Sequence, residues 1–153
     1  MKKVLVIIVC GVLLAGGLYV ARAKPTQVTP EISYAKKEVT LGNTRYILEV
    51  ADTDFLRERG LSYRTSLAPQ TGMLFVFDTP RVSRFWMKDM NFPIDIIWLS
   101  EDLKVVYIKK DARPEFFPET YEPKENAKYV LEVVSGFSGK NNLKEGDKVK
   151  FTY

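Results

Sequence analysis

Six side chains in the middle and C-terminal parts of this 153-residue chain are of types that bind or transform polar ligands: Arg59, Arg64, Trp86, Lys88, Asp95 and Glu132. An indole between cations can stack on a sugar or an aromatic ring. Guanidinium and ammonium groups orient anionic oxygens. Two carboxylates, here Asp95 with Asp89 or Glu132, are the minimum for acid–base chemistry on glycosides. The same residues also make up a purely structural alternative, a fixed ion network of Arg59, Arg64, Lys88, Asp95 and Glu132 beside the core.

The densest part of this set is Ser83–Asp95, "SRFWMKDMNFPID". In an extended strand successive side chains alternate faces. Phe85 and Met87 then share the core face, and Arg84, Trp86 and Lys88 point the other way, so Trp86 is expected to be at least partly exposed. In the next apolar run Asp95 shares a face with Ile97. If it faces inward it needs a cationic partner, because a lone buried carboxylate is very costly; Arg59 and Arg64 are the candidates.

What is missing narrows the chemistry. The chain has no His, and its single Cys, Cys10, lies in an apolar leader. Beyond the leader there is no thiol nucleophile, Ser-His-Asp triad or His/Cys zinc site. No metal or cofactor is expected. "MKKVLVIIVCGVLLAGGLYVARA" has two lysines, an uncharged run over residues 4–21 and an A-x-A site at Ala21 and Ala23. This is the pattern of an export signal, or of an uncleaved N-terminal anchor. The remainder is expected outside the cytoplasmic membrane, with membrane contact only through residues 4–21 if they are retained. The leader holds Lys2, Lys3 and Arg22 and no acid, so the formal +4 falls to +1 beyond it. That balance gives no reason to expect a nucleic-acid partner.

These groups must be held by a domain read as residues 33–153, behind a leader (1–23) and a Pro-containing linker (24–32). "TRYILEVA" alternates as a half-buried strand and pairs with "KKEVT" through a turn at Gly42-Asn43. "DTDFLRERG" carries a cap, an acidic first turn and a terminal glycine, so it predicts a short helix. "GMLFVF", "SRFWMK", "IDIIWLS", "KVVYIKK", "KYVLEVVSG" and "DKVKFTY" read as strands. "DTPR" reads as a turn, "DARPEFFPETYEPKEN" as a long surface loop, and "FSGKNNLKEG" as holding a helical turn. The fold class is mostly β (α+β): one compact domain, barrel-like or a meander, with one or two short helices. In the long loop Phe116, Phe117 and Tyr121 are expected to pin it to the domain.

Laid end to end, several of these pieces resemble domain of unknown function 192, a bacterial and archaeal family. The matching motifs are Arg59-Gly60-Leu61 with Arg64 and Leu67; Gly72-Met73-Leu74-Phe75 with Phe77; Phe85 through Met90; and Pro93 through Trp98. A C-terminal set follows: Tyr129–Glu132, Gly136, Gly146-Asp147, Val149 and Phe151. Asp89-Met90 replaces the commoner Asn-Thr. The resemblance implies a compact mostly-β domain, often behind an export signal, and brings no catalytic roles with it. The expectation is an exported, non-enzymatic envelope domain binding a small polar ligand or glycan. A carboxylate-based hydrolase and a pure interaction module are the alternatives.

Overall fold

The computed structural model describes residues 32–41 and 44–150. The leader, nearly all of the linker, the tip of the first hairpin and the last three residues lie outside the described residues.

Strands β1 (Ala35–Leu41) and β2 (Thr44–Ala51) form the expected antiparallel hairpin, with Leu41 opposite Thr44. Leu48 and Val50 are buried, and Ile47 just before them is half exposed. Helix α1 (Asp54–Arg59) follows, where Thr53 accepts a hydrogen bond from the Leu56 N–H at 3.3 Å. Gly60 ends it with φ 50°, a left-handed value that favours glycine. The chain then crosses over to β3 (Thr71–Arg81), which runs parallel to β2. Strand β3 continues through "DTPR", where a turn is expected. Its register against the next strand shifts between Val76 and Arg81, and this irregularity absorbs Pro80.

Beyond β3 lie the two-residue β4 (Phe85–Trp86), the fully buried β5 (Ile94–Leu99) and β6 (Val105–Ala112). A single 3-10 turn precedes the short β7 (Thr120–Tyr121); then come β8 (Ala127–Val134) and α2 (Phe137–Lys140). The main sheet has the order β1-β2-β3-β8-β5-β6, and β4 pairs separately with β7. The mostly-β class with two short helices is as expected. The sheet is open rather than barrel-like, and it is not a simple meander, because β8 is inserted between β3 and β5. Of "DKVKFTY", the described part makes an isolated bridge from Lys148 to Lys104.

Both faces of the sheet are covered, so β5 is buried along its whole length and apolar at every position but Asp95. One face packs Met73, Phe75, Ile96, Trp98 and Val130 under Leu61, Met87 and Tyr121. The other packs Leu48, Leu74, Ile97, Leu131 and Val133 under Phe137. Between β3 and β8 the backbones are close: a Cβ added to Gly72 would lie 2.5 Å from the Glu132 carbonyl oxygen, so only glycine fits there.

Asp95 does face inward, but its partners are not arginines. Its carboxylate accepts hydrogen bonds from the backbone N–H groups of Asp111 at 2.9 Å, Gly136 at 3.2 Å and Ser138 at 2.8 Å. It thereby ties the ends of β6 and β8 to the start of α2. Replacing Asp95 with Asn puts an NH2 group among donors that need an acceptor. The expected loss is roughly 3 kcal/mol, the scale for stranding buried donors of a charged hydrogen bond. Urea denaturation of the two proteins measures it, and a loss under about 1 kcal/mol would contradict this role.

Candidate functional site

Two loops on the Phe75 face are tied into one unit. The Tyr63 N–H donates to the Asp89 carbonyl at 2.7 Å, and the Tyr63 hydroxyl donates to the Asp89 carboxylate at 2.7 Å. The Ser62 hydroxyl donates to the Lys88 carbonyl at 3.1 Å, and the Asn91 amide to the Arg64 carbonyl at 2.9 Å. Tyr63 and Asp89 both hold left-handed backbones, with φ of 66° and 57°. For a residue as bulky as Tyr this is an unusual state, of the kind that persists where surrounding bonds over-determine it. The hydrogen bond to Asp89 also raises the Tyr63 phenol above its ordinary pKa, so it stays a donor at neutral pH.

Between the loops lies a groove of about 290 Å³, with Phe55, Arg59 and Tyr63 on one wall and Trp86, Lys88 and Asp89 on the other. It adjoins an inner hollow of about 240 Å³ that shares Arg59 and Trp86 and reaches Gly60, Phe75, Met90 and Glu132. Ligand pockets start at about 300 Å³, so this is space for one small molecule.

Trp86 is 53% exposed, while Met87 is buried and Phe85 packs edge-on against Phe75 and Trp98. The alternation read from the sequence therefore holds. Arg59 lies over the Tyr63 ring, 4.3 Å from its centroid. Neither Arg59 nor Lys88 has a carboxylate partner among the described residues. Tyr121 is buried and pins the long loop, but Phe116 and Phe117 remain exposed, and Phe117 meets Trp86 edge-on at 6.5 Å.

Three of the six expected residues, Arg59, Trp86 and Lys88, line the outer groove, and Glu132 lines the adjoining inner hollow. Arg64 is engaged elsewhere: it pairs with Glu49 of β2 and covers the Tyr34 ring. Asp95 belongs to the opposite face of the sheet, since it is paired in register with Val133 while Glu132 is paired with Ile96. An Asp95–Glu132 or Asp95–Asp89 catalytic pair is therefore not assembled, and neither is the single five-residue ion network. Sequence reasoning passed over Glu49, Phe55 and Tyr63. Glu49 was legible only as the polar side of an alternating strand, and its use as the Arg64 partner depends on the fold of the following loop.

Glu132 is the unusual group. It is 5% exposed, and its carboxyl has no hydrogen-bond or ion-pair partner among the described residues. The loss of solvation pushes its pKa from the ordinary 4.5 up to about 8, against a lowering by the charge of Arg64.

The chain belongs to the DUF192 family, described as "Uncharacterized ACR", whose model matches residues 37–151. It is 36% identical over 106 residues to a UPF0127 protein of Thermococcus sibiricus, covering 67% of this chain and 64% of that relative's length. A solved structure from Sinorhizobium meliloti, provisionally described as a transcription regulator, is similar with a TM-score of 0.73 and 32% identity. That likeness covers 79% of this chain and 97% of the other. A protein of unknown function from Novosphingobium aromaticivorans gives a TM-score of 0.68 and 29% identity, covering 85% of this chain and 94% of the other.

A carboxyl whose pKa rises on folding binds more protons in the folded state than in the unfolded one. Stability then falls as pH rises from about 4.5 to about 8, and this contribution is flat above that. Glu132→Gln removes the titration. Urea unfolding across pH 5–9 is expected to show the variant gaining on the parent by a few kcal/mol (of order 4) towards pH 8–9. Parallel profiles for the two proteins would refute the assignment.

Proposed function

We propose that this protein is an exported, non-enzymatic domain of the cell envelope whose groove binds a small polar ligand of the carbohydrate kind. The observation that carries this reading is the half-exposed indole of Trp86, set in a groove between two interlocked loops and beside two cations that have no carboxylate partner. An exposed Trp contributes little to folding and offers an apolar, π-rich surface to a sugar ring. Phe55 and Tyr63 add aromatic edges to the same groove. The hydrolase reading is weaker, because Asp95 is on the other face of the sheet and Glu132 stands without a partner carboxylate beside it. A nucleic-acid role, in line with the description of the Sinorhizobium protein, finds no support in a charge of only +1 beyond residue 23.

The test is Trp86→Ala. Stability should change by less than about 1 kcal/mol, as for an exposed position. Binding of monosaccharides, followed by saturation-transfer NMR, should fall at least tenfold. A variant that unfolds readily, or that binds as the parent does, counts against the groove.

The address rests on the leader alone. A reporter that is active only outside the cytoplasm, fused after Tyr153, is expected to work, and one active only inside is expected to be silent. The opposite result would remove the envelope setting.

A further inference from the structure

Glu132 is buried, lines the inner hollow and has no hydrogen-bond or ion-pair partner among the described residues; Arg64 is the cation whose charge reaches it. In its row across the sheet, β3 presents Met73 and β5 presents Ile96, both apolar, with Glu49 of β2 and Lys109 of β6 one strand further out. Lys36 of β1 ends that row opposite Glu49. Glu49 is taken by Arg64, and Lys109 lies over the Phe116 and Tyr121 rings. From α1 and its following turn come Arg57, Glu58 and Arg59, and from the segment before β4 comes Arg84. Arg57 is tied to Asp54, and Arg84 to Glu122. Glu58 is exposed, so its charge is largely screened by solvent. This leaves Arg59, which lines both hollows and has no carboxylate of its own among the described residues, as the cation that shares the inner hollow with the Glu132 carboxyl.

Resting on the groove reading above, we propose that the ligand carries a carboxylate, as a uronic-acid sugar does. Its ring lies on Trp86, its carboxylate pairs with Arg59, and the Glu132 carboxyl donates a hydrogen bond to one carboxylate oxygen. At the mouth Lys88 is balanced by the Asp89 carboxylate, which accepts from Tyr63, so Arg59 supplies the attraction. A cationic ligand, which an ionised Glu132 would attract, meets Arg57, Arg59 and Arg84 in the lining instead. A neutral sugar leaves both Arg59 and Glu132 without their best partner. Because burial holds Glu132 protonated at neutral pH, the donor is present when the anion arrives, and an anion beside it strengthens that protonation.

The experiment titrates the full chain with D-glucuronate, D-glucose and D-glucosamine, read by Trp86 fluorescence and saturation-transfer NMR at pH 6.5 and at steps up to pH 9.5. Glucuronate should bind at least tenfold more tightly than glucose at pH 6.5, with glucosamine no better than glucose. Glucuronate affinity should then fall by about tenfold per pH unit above the Glu132 pKa, as one linked proton requires. Glu132→Gln should keep the preference and lose the pH dependence, since its amide donates without titrating. Glu132→Leu should lose the preference and keep the weak binding of glucose. Equal binding of glucose and glucuronate, with no pH dependence, would overturn the carboxylate and leave the groove reading standing. A preference for glucosamine would overturn it too, by making Glu132 an ionised acceptor. If no sugar binds, both readings fall together.

Discussion

Everything in this domain depends on β8 lying between β3 and β5. That strand comes late in the chain, yet it is the seam that joins the N-terminal half of the sheet to the C-terminal half. The seam imposes a strict condition: at Gly72 the β3 backbone comes so close to the Glu132 carbonyl that no side chain is admitted. With the seam formed, alternation along β8 does two jobs at once. Leu131 and Val133 close one core, while Val130 and Glu132 face the other. The position of the buried acid is thus set by the same register that holds the sheet together.

The groove itself is not built from the sheet. It is held by a web of short hydrogen bonds between the turn after α1 and the turn after β4, with two non-glycine residues in left-handed conformations at the join. The sheet contributes the floor and Glu132; the end of α1 contributes Arg59, the short β4 contributes Trp86, and the loops contribute Tyr63 and Lys88. This division lets the rigid part keep a costly carboxyl in place while the walls carry the groups that a ligand would meet first.

Local signals were legible in the sequence. Thr53 and Gly60 bracket α1 as caps, Leu48 and Val50 alternate into the core, and Phe85 and Met87 turn inward so that Trp86 turns out. Long-range choices were not. Strand order has no local signature, so the insertion of β8 and the parallel β2–β3 pair were out of reach, and an open sheet was hard to tell from a barrel. Asp95 was expected to need a cationic partner and has three backbone N–H groups instead; such donors occur at almost every position and leave no mark in a sequence. Arg64 had two acids within reach, Glu49 and Glu132, and its choice of Glu49 leaves the other one alone. That choice is a matter of loop geometry.

The two outer strands of the sheet, β1 and β6, have one further property. Each carries two adjacent lysines followed by an acid: Lys36-Lys37-Glu38 on β1 and Lys109-Lys110-Asp111 on β6. Alternation sends the charges of such a triplet to both sides of the strand. A second copy approaching edge to edge would have to strip water from these charges, and lysines on an edge strand are a common guard against such pairing. The sheet is open in its hydrogen-bonding pattern, and its two open edges are the places where charge is most densely set.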